Sequence, residues 1–194
     1  MSMAEAATRL SGAIRLARFD ASGLQFLPGT EEHFWRSFYA AVLVAPLFAL
    51  LVAARIASGE WQADPTRVLL LHGAAYVVAW FAFPLAMLYV ARRFGVAHRY
   101  FGLIVAYNWS AVIQVLLLFP VALAGLRGLL PMPIVALAEV AVFVYVLGYK
   151  WFIFRTALAT TGAPAAGVLA LEFVIHMALD GFVESSLRIK PEAQ

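Results

Sequence analysis

Glu172, His176, Asp180 and Glu184 recur at intervals of four in the stretch EFVIHMALDGFVE. On an α-helix that spacing stacks the four side chains along one face. Carboxylates and imidazoles so placed could relay protons, hold a cation, or fix how helices pack through hydrogen bonds. Glu172 and His176 also have a spacing that two ligands of one metal ion can share. No H-E-x-x-H or comparable pattern accompanies them, so the sequence specifies no metal and no cofactor. GxSxG, GxGxxG and P-loop motifs are absent, and Ser110 has no basic partner close in sequence. No enzymatic activity is expected.

The chain that carries this stripe is greasy. Of its 194 residues, 64% are hydrophobic and only 13% are charged. Soluble domains are typically about 45–50% apolar and about 25% charged, so the departure points to the membrane. The absence of cysteine excludes disulfides, thiolate metal sites and cysteine nucleophiles. A net charge of +3, carried mostly by arginine, suits anionic lipid headgroups. No basic run interleaved with aromatics suggests a nucleic-acid partner.

A spanning helix needs roughly 20 mostly apolar residues. Five stretches qualify: about 36–56, 67–89, 100–123, 133–154 and 165–187. Asp64-Pro65 reads as an N-cap followed by proline in the first turn, and Gly95, Gly125, Gly128 and Pro131 break the chain between spans. The fifth stretch has a competing reading as a helix lying on the membrane surface. Its broad apolar arc, and the lack of Lys or Arg before Arg188, favour spanning. The expectation is an all-α, polytopic integral membrane protein: a bundle of about five transmembrane helices with a short N-terminal amphipathic segment.

Three regions follow: an N-terminal segment over 1–35, a five-helix domain over 36–187 and a tail over 188–194. Leu10, Ile14 and Ala17 have helical spacing beside Arg9, Arg15 and Arg18. This part could lie as an amphipathic helix on anionic headgroups of the inner leaflet, or form a frayed tail. Residues 1–30 lack the unbroken apolar run of a removable signal. Nine of the 14 Lys and Arg residues would share the side of the N-terminus, Lys190 being among the five opposite. The positive-inside rule then expects a cytoplasmic N-terminus and a C-terminus outside.

At ~1.5 Å per residue, the polar residues of the spans fall into layers. Lys150 and Glu172 share a level nearer the cytoplasmic end, with His176 a turn deeper. His72, Gln114, Glu139 and Asp180 share the next level, Asn108 lies between, and Glu184 reaches the outer interface. Lys150 is expected to neutralise Glu172, and Arg127 to approach Glu184. Glu139 and Asp180 have only His72 and His176 as basic neighbours, so at least one of these acids is expected to be protonated. A lipid-facing stripe is costly, so Glu172, His176 and Asp180 are expected to face the third and fourth spans. The cluster serves either as a hydrogen-bonded packing core or as a proton or cation site.

The segments HRYFGLIVAYNWSAVIQVLLLFP at 98–120 and YKWFIFRTALATTGAPAAGVLALEF at 149–173 resemble the Yip (Ypt-interacting protein) family and its bacterial relatives. The likeness lies in a basic turn entering a Tyr-containing third helix and a short link between helices four and five. It implies a five-helix bundle with a membrane-organising or partner-binding role, and supplies no catalytic residue. The Asp-Leu-Tyr-Gly-Pro sequence of eukaryotic members is absent, so Rab-type GTPase binding does not follow. The expected function is that of a non-enzymatic membrane organiser or accessory subunit, alone as a homo-oligomer or beside other membrane subunits. The alternative is a small transporter or channel component for protons or cations.

Overall fold

A computed structural model describes residues 1–188. The expected tail over 188–194, with Lys190, lies outside the described residues apart from Arg188. Seven α-helices follow one another: α1 (Met3–Ala17), α2 (Glu31–Ser37), α3 (Tyr39–Ala57), α4 (Pro65–Arg93), α5 (Tyr100–Leu126), α6 (Met132–Ala157) and α7 (Gly162–Arg188). The described residues contain no strand. Five helical stretches, with α2 and α3 counted as one, are long and apolar enough to cross a membrane. The protein is an all-α, multi-pass membrane bundle, as the composition requires.

Local chemistry sets the ends. Asp64 Oδ1 accepts from the backbone N–H groups of Thr66 and Arg67 at 2.9 and 3.2 Å, with Pro65 in the first turn where its missing N–H costs nothing. Gly59, Gly95 and Gly128 follow α3, α4 and α5 with φ of 75°, 72° and 61°. That left-handed conformation closes a helix and favours glycine. Ala159 does the same after α6 at φ 46°, against its own preference.

α5 is the central element. Leu103 to Ser110 are buried without a break, because α1, α2, α3, α4 and α6 all pack around it. A helix apolar on every side can be covered on every side. α7 runs along α4 and α6. A smaller core of Val52, Val68, Val183 and Leu187 closes the end where α3 stops and α4 starts.

The N-terminal segment is part of this bundle. α1 forms, as one reading of the sequence expects, but Ile14 is exposed while Ala13 and Leu16 are fully buried. The buried face combines Gly12, Ala13 and Ala17 with Leu16. A Cβ on Gly12 would lie 2.8 Å from the Gly23 carbonyl oxygen, so α1 and the 3-10 turn over Ala21–Phe26 meet backbone to backbone. Arg9 Nη1 donates to the Phe26 carbonyl at 2.6 Å, and Arg15 lies over the Phe26 ring at 4.9 Å. Tyr149 OH donates to the Ala13 carbonyl at 2.8 Å, and Tyr145 OH to that of Ala17. The Ala17 carbonyl lies beyond the helix's own ladder and gains its donor from α6, whereas the Ala13 carbonyl takes the Tyr149 phenol as a second donor.

Candidate functional site

The nine polar residues read from the sequence do not form one cluster. The structure divides them into a dry ion pair, one helix-to-helix tether, one bond within α5, a cavity and an outer groove.

Glu172 on α7 is 1% exposed, among the largest fully buried side chains. Its Oε1 accepts from Lys150 Nζ of α6 at 2.6 Å and from Tyr107 OH of α5 at 3.2 Å. His176 Nδ1 lies 3.2 Å from the same oxygen and 3.0 Å from the Glu172 carbonyl. Both of those partners are acceptors, so Nδ1 is the donor. The expected pairing of Lys150 with Glu172 is therefore present, with Tyr107 and His176 added. The carboxylate joins three helices through one oxygen.

Asn108 ties two helices together, and Gln114 bonds within its own helix. Asn108 Nδ2 donates to Ser37 Oγ at 2.8 Å, and Ser37 passes the bond to the Phe34 carbonyl at 2.6 Å. Asn108 Oδ1 is buried with no partner among the described residues. Gln114 Nε2 donates to Ser110 Oγ at 2.9 Å within α5.

His72, His176, Asp180 and Glu184 line a cavity of about 470 Å³ between α3, α4 and α7. His72 Nδ1 donates to the Val68 carbonyl at 3.0 Å, as His176 Nδ1 does to that of Glu172. Glu184 Oε1 accepts from Trp61 Nε1 at 3.2 Å. Asp180 has no hydrogen bond or ion pair among the described residues. The expectation that Asp180 and His176 turn to α5 and α6 is corrected here. Residues four apart on a 3.6-residue helix rotate by about 40° per step, so a stripe that starts toward α6 at Glu172 winds toward α4 by Asp180. Arg127 is not the partner of Glu184, since α7 follows α4 and brings Glu184 to the loop before it.

Glu139 stands apart from Asp180, which corrects the layer drawn from depth alone. It is exposed on α6 and lines a groove of about 500 Å³ with residues of α3 and α5. Arg55 lines both this groove and the cavity. The layers drawn from the sequence gave Glu139 and Asp180 only His72 and His176 as basic neighbours. A long arginine stem can turn back along its helix, and depth counted at Cα does not register that. Ser37, Trp61 and Arg55 are thus the residues missed. Arg55 and Ser37 lie just inside helix ends, where a side chain of either kind can reach the interior.

Among the described residues no group of three or more His, Asp or Glu is placed to hold a metal ion. Comparison with protein-family models, curated proteins and solved structures finds no match. The fold and the site define a class, a multi-pass helical membrane protein with a buried ion pair and a polar cavity, and no family.

Proposed function

We propose that this chain is a non-enzymatic integral membrane protein that acts through assembly, as an accessory subunit of a membrane complex or an organiser of membrane. The observation that carries the reading is Glu139. It is exposed about 10 Å along α6, beside Leu137, Val140 and Val144, which are 71%, 60% and 60% exposed. An acid facing hydrocarbon costs about 2.5–3.5 kcal/mol on the insertion scale. A neighbouring subunit that offers a donor or a cation would remove that cost. The resemblance to Yip proteins agrees with a partner-binding bundle. The arginine bias supports a cytoplasmic N-terminus and an external C-terminus.

The test is affinity purification from native membranes, with co-purifying proteins identified. A stable partner lost on Glu139→Leu, with the protein still folded, supports the reading. Recovery of the same complex with the Glu139→Leu chain would overturn it.

A second reading is a transporter or channel component. The cavity that brings His72, His176 and Asp180 together favours it. Neither Glu172 nor Lys150 lines that cavity, so the polar lining stops at His176. Proton or cation flux in liposomes, abolished by Asp180→Asn, would establish this reading over the first.

A further inference from the structure

The cavity between α3, α4 and α7 grades from charged to apolar. Arg55, Trp61 and Glu184 lie near the end where α3 stops, and Asp180 lies about 12 Å in from the end of α7. Phe48, Tyr76 and Ala79 line the deeper wall, with His176 the last strongly polar side chain there.

Charges of both signs share this space without neutralising one another. Neither Asp180 nor Glu184 forms an ion pair with Arg55 among the described residues, whose own ion pair is with Glu60 at 3.4 Å. Arg55 Nε is buried and has no hydrogen-bond partner among the described residues. A simple cation would be attracted by the two carboxylates and repelled by the guanidinium, and a simple anion the reverse. A zwitterion satisfies both ends.

We propose that this cavity binds the headgroup of a phospholipid that carries a primary ammonium and a phosphate. The ammonium meets Asp180 and Glu184, the phosphate meets Arg55, and the start of an acyl chain follows Phe48 and Ala79. The rings of Trp61 and His72, 4.7 Å apart, form an aromatic wall beside the ammonium. A primary ammonium is chosen over a quaternary one because a carboxylate needs an N–H donor to form charge-assisted hydrogen bonds. The volume falls within the roughly 300–1,000 Å³ of small-molecule sites. This inference is independent of the assembly reading, since it concerns the isolated chain.

The experiment is native mass spectrometry of the delipidated full-length protein in detergent. Phosphatidylethanolamine, phosphatidylcholine, phosphatidylglycerol and soluble phosphoethanolamine are titrated separately. Phosphatidylethanolamine should bind at least about tenfold more tightly than the other lipids, as loss of one charge-assisted bond predicts. Asp180→Asn and Arg55→Gln should each remove most of that preference, and Glu31→Gln, exposed at the start of α2, should retain it. Glu184→Gln reads the same carboxylate end should Asp180→Asn not fold. Equal binding of all three lipids, or an unchanged preference in the folded variants, overturns the proposal. Binding of phosphoethanolamine without the lipid would also overturn it, in favour of a soluble ligand.

Discussion

Lys150 Nζ stands 2.6 Å from Glu172 Oε1, and the glutamate side chain is 2% exposed and the lysine 15%. Removing one member of such a pair is far worse than never having had it, because the survivor is left charged in a dry interior. Lys150→Met should destabilise the bundle by about 3–5 kcal/mol. The double change Lys150→Met with Glu172→Leu should recover most of that loss. Unfolding in mixed micelles provides the measurement. Equal damage from the single and double variants would mean that the pair serves something other than packing.

Asn108 and Ser37 form the corresponding tether between α5 and the end of α2. Ser37→Ala leaves Asn108 Nδ2 buried and unpaired, beside an Oδ1 that already has no partner among the described residues. The expected cost is about 1–3 kcal/mol. Asn108→Ala should cost no more than Ser37→Ala, because it removes the buried polar group along with the bond. Thermal shifts of the two variants in detergent check the order.

The N-terminal helix should respond to acid. The Glu5 carboxyl lies below its ordinary value, first through its hydrogen bond from Arg36 and then through the charges of Arg36 and Arg9. A carboxyl held low in the folded state contributes stability above its ordinary pKa and loses it as the pH falls through the lowered value. Amide exchange in α1 should therefore rise on acidification below about pH 4. In Arg36→Gln, exchange in α1 should already be faster at neutral pH, and its acid response smaller. Any remaining acid response belongs to Asp20, which is held low by Ser22. An acid response of full size in Arg36→Gln would exclude the Glu5 contact as its source.

The orientation is open to a direct check in this cysteine-free chain. Gln62 is exposed in the loop between α3 and α4, and Thr160 lies in the short link between α6 and α7. With a cytoplasmic N-terminus, an impermeant thiol reagent should label Gln62→Cys on intact cells and Thr160→Cys only after lysis. The opposite pattern would invert the topology.

The number and bounds of the spanning helices were legible because 20-residue apolar runs between capped breaks have few other uses. The expected start at 100 and the observed Tyr100 coincide, and the others fall within a few residues. Which way each face points was less legible. The stripe from Glu172 to Glu184 reads as one line in the sequence, yet its slow rotation gives Glu172 to α6 and Asp180 to the cavity. The face of α1 was misread because apolar size favoured Ile14, whereas the close backbone approach selected Gly12 and Ala13. Arg55 was misplaced because a depth scale ignores the reach of a side chain.

The docking of α1 sets an order of events during synthesis. The carbonyls of Ala13 and Ala17 receive their phenols from residues 136 and 128 positions later in the chain. Helix α1 is therefore completed only once α6, the fourth of the five apolar stretches, has been made. Through that interval the Gly12 face can already pack on the 3-10 turn over Ala21–Phe26, while the Ala13 and Ala17 carbonyls lack their phenols. A chain stopped before Tyr145 would leave both carbonyls without these donors.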